Sequence, residues 1–559
     1  MPAPTRLDHL CPTPRRVTRS GGEHLVGEVS ARRVHDLSPQ GYRLTVDAEG
    51  IRIDAADAAG EHYARMTLAQ LGPTAPGVMI EDWPDLVVRG VMLDVSRDRV
   101  PTMASLKRLI ERLSGWKINQ LQLYFEHTFA YAHHEEVWRL ASPFTAGEVH
   151  ELDRFCAMYH IELVANQNCL GHGERWLRNE RYRGLALSPE GFDIMGVHRG
   201  PTTLDPSNPV AFDFIAALLD ELIPNFSSNR VHIGMDEPWE LPPERIGDYV
   251  TWMQRLCALP VLRNREVLVW GDIIARHPDV LGALPNNVTV TEWGYEAEHP
   301  FDERARWLAD AGRAMWMCPG TSSWQSLLGR TTNMRGNTVA ATSAARNHGA
   351  TGMLMTDWGD WGHHQPGVVS LPGYAYGAAM SWCAETNTDI DLSLVCEAAA
   401  VALGDVYLET AAQRPNCSAF VRQLYLPQIR VRHVTYNELD AARDRIDQGL
   451  ALLGERADED ADELRWAADV VRLALDDAQS RLNGEGTLSS MSELDRAHLA
   501  ERAFDIETRH AELWPKRSRP GGLAGSRRWF TRLREAYLSG EVPYGWPYPE
   551  VDESNGDPA

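Results

Sequence analysis

The chain has 559 residues, and its 78 acidic side chains against 55 Lys and Arg leave a formal charge of −23. Apolar residues at 43% and charged residues at 24% are the balance of a folded globular protein and exclude wholesale disorder. The acidic surplus argues against nucleic acid and anionic membranes as partners. No run approaches the length of a membrane-spanning helix, and the Pro- and Arg-rich start has no signal-peptide core. None of the eight cysteines forms a Cys-x-x-Cys pair, and several, such as Cys318, stand in apolar strings. The expectation is buried free thiols, no metal centre and a reducing, cytoplasmic setting.

Residues 1–84 read as a small α/β domain. Up to about residue 40 there is little periodicity. Then Leu44 and Val46 alternate with polar neighbours, Glu49-Gly50 turns, and Ile51 and Ile53 return, which predicts a hairpin from Tyr42 to Asp54. A helix is expected over Glu61–Leu71. From residue 85 to 388, eight short apolar runs recur: Val87–Val95, Asn119–Phe125, Ile161–Asn166, Arg230–Met235, Glu266–Trp270, Asn287–Trp293, Arg313–Cys318 and Gly349–Thr356. Helical stretches such as Met103–Lys117, Phe144–Tyr159, Pro209–Pro224 and Asp302–Ala311 lie between them. Eight β-then-α units predict a parallel (β/α)8 TIM barrel. An open doubly wound sheet would more often carry a Gly-rich turn after its first strand, where this chain has Asp94-Val-Ser-Arg97. Residues 389–559 read as a helical C-terminal region. Leu464, Ala468, Val471 and Leu475 make one apolar stripe there, and the acid run from Asp458 to Glu463 reads as a solvated helix start. That region would cover the barrel or form a homodimer interface.

Chemistry in a (β/α)8 barrel sits at the C-terminal ends of its strands. Those ends carry Asp94 with Arg97 (and Arg89 within the strand), Glu126-His127, Gln167, Asn168 and His172, Asp236-Glu237, Trp270 and Asp272, Glu292-Trp293, Pro319 to Trp324, and Asp357-Trp358-Gly-Asp360. Carboxylates and indoles thus converge on one rim, with ten of the eighteen Trp between Trp239 and Trp382. Carboxylates for proton transfer and aromatic faces for a sugar ring suit a glycosidase. Asp236-Glu237 is the pivotal pair, because it ends the strand-like Val231-His-Ile-Gly-Met235. Adjacent strand residues point to opposite faces, so both acids reach one ligand only if the strand gives way there. The His133-His134-Glu135-Glu136 run reads as a solvated loop rather than a metal site, and no nucleotide or cofactor motif is present.

Three stretches in this order resemble the catalytic barrel of glycoside hydrolase family 20, the β-N-acetylhexosaminidases. They are Arg89-Gly-Val-Met-Leu-Asp-Val-Ser-Arg97, the run from Leu204-Asp-Pro-Ser-Asn-Pro209 to His232-Ile-Gly-Met-Asp-Glu237, and Trp358-Gly-Asp360. The resemblance implies an exo-acting retaining enzyme that releases terminal GlcNAc or GalNAc from a glycan with a terminal β-linked N-acetylhexosamine, the substrate's 2-acetamido oxygen serving as nucleophile. It implies Glu237 as general acid and then base, with Asp236 orienting the acetamido group. Arg89 and Asp360 would hold sugar hydroxyls. Trp270, Trp293 and Trp358 would wall the pocket, and His172 matches a family His after strand three. No cofactor is implied.

This chain departs from the family pattern in four places. Met235 stands where the signature has its second Gly, Glu126-His127 replaces an Asp-Asp, Asp360 replaces a Glu, and the loop after strand seven has no Tyr, which leaves Trp324 as a donor to the acetamido carbonyl. These departures keep two alternatives open: a non-catalytic sugar-binding barrel, and a glycosidase for a sugar lacking the acetamido group, with Glu292 or Asp360 as nucleophile.

Overall fold

A computed structural model describes residues 6–194 and 197–542. The N-terminal layer is a five-stranded sheet of β1 (Arg16–Leu25), β2 (Val29–Arg33), β3 (Tyr42–Asp47), β4 (Gly50–Ala55) and β5 (Thr74–Asp82), in the order β1-β5-β3-β4-β2. The helix Ala58–Leu71, capped by Asp57, covers one face. β3 and β4 pair as the expected hairpin, and Leu44, Val46, Ile51 and Ile53 point into the core. β1 and β2 carry no such signal because nearly all their side chains face solvent, which leaves no alternation to read.

Eight parallel strands then close into a barrel: β6 (Val88–Asp94), β7 (Gln120–Phe125), β8 (Glu162–Gln167), β11 (Arg230–His232), β12 (Glu266–Trp270), β13 (Val288–Trp293), β14 (Met315–Cys318) and β15 (Gly352–Asp357). A short hairpin, β9 (Phe192–Ile194) with β10 (Val197–Arg199), interrupts the sequence after β8. The seam is made by β15 against β6, in register from Gly352↔Val88 to Asp357↔Leu93. Six of the eight strands fall within the eight apolar runs, and β8 and β15 each extend one residue beyond theirs, to Gln167 and Asp357. They read as runs because they are buried on both faces, with helices outside and a filled lumen inside.

Arg89, expected among the site residues, does not reach the C-terminal rim of the barrel. It is the second residue of β6, whose rim end is Asp94 five residues on, a distance of about 16 Å along a strand. Its guanidinium is fully buried at the opposite end, donating to the carbonyls of Lys117 and Leu86 at 2.8 and 2.9 Å. It lies over the rings of Tyr63 and Trp382 at 5.2 and 4.9 Å. The Trp382 ring also receives Lys117 Nζ at 4.5 Å. Lys117 pairs with Asp82 at 3.0 Å with neither side chain exposed, and Tyr42 donates to the same carboxylate at 2.8 Å. Two buried cations thus hold the sheet against the bottom of the barrel.

The helical region follows the last barrel helix, Gly367–Asn387. The stripe of Leu464, Ala468, Val471 and Leu475 lies buried within the helix Glu459–Leu482. The acid run before it is less solvated than expected. Asp458 caps the helix by accepting from Ala461 N, while Asp460 and Glu463 pair with Arg517 at 2.5 and 3.2 Å and Glu463 is 5% exposed. The last helices, Glu493–Arg517 and Leu523–Ser539, bring Trp529 onto Trp361, stacked at 6.1 Å, and Ser526 O to His364 Nε2 at 2.9 Å. The helical region therefore braces the loop after β15. His364, 2% exposed, belongs to that junction, and His363, 5% exposed, is buried next to it.

Breaking a buried pair leaves one charge unpaired, at a cost of about 3–5 kcal/mol. Lys117→Met is therefore expected to lower unfolding stability by that amount, and Lys117→Met with Asp82→Asn to recover part of it. Urea unfolding of the two variants checks this.

Candidate active site

At the rim, β6 ends in Asp94, whose side chain is wholly buried. Its Oδ1 accepts the backbone N–H groups of Ser96 and Arg97 at 2.9 and 3.1 Å. Its Oδ2 accepts Arg97 Nη1 at 3.0 Å and Gly359 N at 2.9 Å. This one carboxylate fixes the turn after the first barrel strand, the guanidinium of Arg97 and the loop after the last strand. Burial works against its charge, but Arg97, His363 and the backbone N–H groups of Ser96 and Gly359 together outweigh it and hold the carboxyl below its usual range.

Arg97 is the arginine of the site. It lies over Tyr124 and Trp358 at 5.1 and 4.9 Å, approaches Glu126 at 3.3 Å and Asp360 at 3.7 Å, and its Nη2 is 3.3 Å from His172 Nδ1. Burial raises Glu126 to about 7, although Arg97 and His172 pull it down.

The acids follow β11, and the strand does give way there. Gly234, Met235 and Glu237 have φ of 67, 77 and 45°, so the chain leaves the extended region and both carboxylates turn to one side. His172 Nε2 lies 3.2 Å from Asp236 Oδ2 and 3.5 Å from Glu237 Oε2. Asn168 Nδ2 donates to Asp236 Oδ1 at 2.6 Å, and Asn168 Oδ1 accepts the N–H of Met235 at 3.3 Å. Gly171 is needed beneath this turn, because a Cβ there would lie 2.3 Å from the carbonyl oxygen of Asp236. Asp236 is 5% exposed, whereas the Glu237 side chain is a quarter exposed at the pocket mouth. Burial would raise Asp236, but His172 and then Arg97 outweigh it and hold the carboxyl below its usual range. His172 behaves conversely: burial disfavours its imidazolium, yet Asp236 and Glu237 hold it well above its ordinary value.

His232 meets no carboxylate. Its Nδ1 accepts from Gly234 N at 3.0 Å, its Nε2 bonds Thr291 Oγ1 at 3.0 Å, and burial drops it to about 3, so it is a neutral brace for the turn. Asp272 sits behind Glu237. Its Oδ2 accepts Glu237 N at 3.3 Å and pairs with Arg276 at 3.0 Å, while burial and Asp236 raise it to about 7.

Trp270, Trp293, Trp324 and Trp358 gather in one aromatic cluster with Tyr124 and Tyr295. Trp270 and Trp358 lie 5.9 Å apart, Trp293 stacks on Tyr295 at 5.1 Å, and Trp324 meets Tyr295 edge-on at 5.0 Å. Trp358 Nε1 donates to Tyr295 Oη at 2.7 Å. The wall therefore has a tyrosine, supplied from the turn after β13 rather than after the seventh strand. Asp360 is one-third exposed, near Gln325 at 3.4 Å as well as Arg97. Glu292, a trial nucleophile above, is buried and bonded to His299 at 3.1 Å. Among the described residues no His, Cys, Asp and Glu cluster has the arrangement of a metal site.

Two adjacent carboxylates, an arginine and an indole wall thus meet at the rim of the barrel. Residues 87–347 match the model of the glycosyl hydrolase family 20 catalytic domain, and residues 9–83 match domain 2 of the same family. Together these matches span more than half of the chain, and the protein belongs to glycoside hydrolase family 20. The catalytic match stops before β15, so Trp358 and Asp360 lie beyond it. A β-N-acetylhexosaminidase of Cellulomonas fimi is 26% identical over 347 residues, covering 56% of this chain and 64% of that protein. A β-hexosaminidase of Akkermansia muciniphila is 26% identical over 248 residues, covering 38% and 48%. The chain spans about half the length, or less, of the curated relatives it first matches. The solved β-N-acetylhexosaminidase of Streptomyces coelicolor A3(2) superposes with a TM-score of 0.54 at 21% identity, covering 68% of this chain and 92% of that one, a likeness of fold.

The raised His172 gives a pH signature. Its folded value lies above the unfolded one near 6.5, so its stabilisation is full below about pH 6.5 and fades as pH rises through the raised value. The stability gap between wild type and His172→Gln is expected to be widest at mildly acidic pH and to narrow in alkali. Urea unfolding across that range checks it, and a gap independent of pH would remove the imidazolium from the site. Arg97→Ala is expected to raise KM at least tenfold, whereas Arg89→Ala should lower the melting temperature and leave KM near wild type.

Proposed function

We propose that the chain is an exo-acting retaining β-N-acetylhexosaminidase that releases terminal GlcNAc or GalNAc by substrate-assisted catalysis. One observation carries this reading: Asp236 and Glu237, neighbours in sequence, both approach the same nitrogen of His172 at 3.2 and 3.5 Å and so face one pocket. Family membership and the hexosaminidase relatives support it.

In the first step the acetamido oxygen attacks the anomeric carbon, the glycosidic C–O bond breaks, and Glu237 gives its proton to the leaving oxygen. Asp236 stays ionised under His172 and Arg97, accepts the acetamido N–H, and stabilises the positive oxazolinium. In the second step Glu237 takes a proton from water, which adds to the anomeric carbon and reopens the oxazolinium ring. Arg97 and Asp360 hold the sugar hydroxyls. Trp270, Trp293 and Trp358 wall the pocket. The Tyr295 hydroxyl already accepts from Trp358, so its own proton is free to bond the acetamido carbonyl, ahead of Trp324. Eight cysteines without a disulfide support a reducing, cytoplasmic setting.

Hydrolysis of aryl 2-acetamido-2-deoxy-β-glycosides tests the assignment. Glu237→Gln is expected to lose about 10²–10⁴-fold in kcat/KM, the usual worth of a positioned acid–base. Asp236→Asn should lose comparably and become less sensitive to a thiazoline inhibitor. Wild-type rates for Glu237→Gln would overturn the reading, and a rate on glycosides without the acetamido group equal to that with it would overturn the mechanism.

A further inference from the structure

Where the helical region meets the barrel there is a cavity of about 170 Å³, separate from the sugar pocket. That is the volume of roughly five or six liquid waters. Four arginines line it, Arg99, Arg108, Arg112 and Arg517, against one carboxylate, Asp357. Asp357 is already engaged: its Oδ1 accepts the hydroxyls of Thr321 and Ser323 at 2.7 Å each, and its Oδ2 accepts that of Tyr374 at 2.5 Å. Arg517 is neutralised by Asp460 and Glu463.

The other three arginines have no such partner. Among the described residues, Arg99, Arg108 and Arg112 make no ion pair with any carboxylate, and the one side-chain bond of Arg108 is to Ser105 Oγ at 3.3 Å. Arg99 lies over the Trp514 ring at 4.7 Å with its Nε buried and unbonded. Arg108 and Arg112, both exposed at the cavity mouth, stand one turn apart on the helix Met103–Gly115, a like-charge spacing that costs helix stability by itself. Ser518, 3% exposed on the same wall, has a buried hydroxyl with no partner. A buried polar group left unbonded is expensive, and Arg99 Nε and the Ser518 hydroxyl, both on the wall of one cavity, mark the place of an absent partner.

We propose that this cavity binds a small tetrahedral oxyanion, phosphate or a phosphate monoester, held by Arg99, Arg108 and Arg112 with the Ser518 hydroxyl. The guanidinium fork matches such an ion with paired N–H donors. Burial, with Arg517 adding to it and Glu463 opposing, pushes Arg99 down to about 10, and a bound anion supplies the missing countercharge. The site needs neither the substrate nor the hydrolytic step. It ties the segment after β6 to the turn at Arg517 and Ser518, and so the barrel to the helical region.

Inorganic phosphate titrated calorimetrically into the whole chain, at constant ionic strength in chloride, tests this. One saturable site is expected, with a melting temperature that rises with phosphate and not with chloride. Arg99→Met, and separately the double variant Arg108→Gln with Arg112→Gln, should each weaken binding at least tenfold. The double variant keeps the test valid if Arg99→Met loosens the contact with Trp514, and circular dichroism verifies its fold. A hexose 6-phosphate that binds more tightly than phosphate identifies an ester as the occupant, and one that binds more weakly identifies the free ion. Absence of saturable binding at millimolar phosphate, or unchanged binding in the folded double variant, would overturn the proposal.

Discussion

The Asp94 carboxylate is the constraint on which the active site depends. It is buried without exposure and takes four hydrogen bonds, from the turn after the first barrel strand, from Arg97 and from the loop after the last strand. A buried charge is tolerated only when it is fully paired, so each of these groups is held where the carboxylate needs it. Arg97 passes the order on. It is within reach of Glu126, Asp360 and His172, and His172 in turn meets both acids after β11. The site is one connected electrostatic network whose fixed point is at the barrel seam.

The second requirement is a strand that stops early. β11 has only three residues before the backbone turns through positive φ at Gly234, Met235 and Glu237. For residues other than Gly that region costs of order 1–3 kcal/mol, and it persists only where the surroundings dictate it. Here the surroundings are explicit: Asn168 bonds the Met235 N–H, Asp272 accepts the Glu237 N–H, and His232 accepts that of Gly234. Met235 therefore occupies a glycine-like conformation as a buried side chain, which accounts for its tolerance at a family Gly position.

Much of this was legible in the sequence. The barrel strands showed because they are buried on both faces, and the two acids because they end such a strand. The rim arginine was harder. Arg89 and Arg97 lie in one motif, and what separates them is strand direction, since the motif begins at the bottom of the barrel and ends at its top. Counting residues along β6 distinguishes them, for only Arg97 lies beyond Asp94. Tyr295 follows the sixth barrel strand rather than the seventh, and no local pattern ties it to the indole wall. The pairing of Asp460 and Glu463 with Arg517 was invisible because their partner is more than fifty residues away. Local periodicity carries no record of such contacts.

The contact between the last helix and the loop after β15 bears on the order in which the protein matures. Residues 88–358 supply the barrel strands and every proposed site residue through Trp358, with Asp360 three residues beyond β15. Yet Trp361, His364 and Gly362, which carry that loop onward, rest on Trp529 and Ser526, more than 160 residues later. Loop closure over that length is slow compared with local helix formation. During synthesis from the N-terminus, the barrel can therefore assemble while one wall of its sugar pocket is still unsupported. Competence for chemistry then arrives with the closing helices rather than with the barrel that bears the acids.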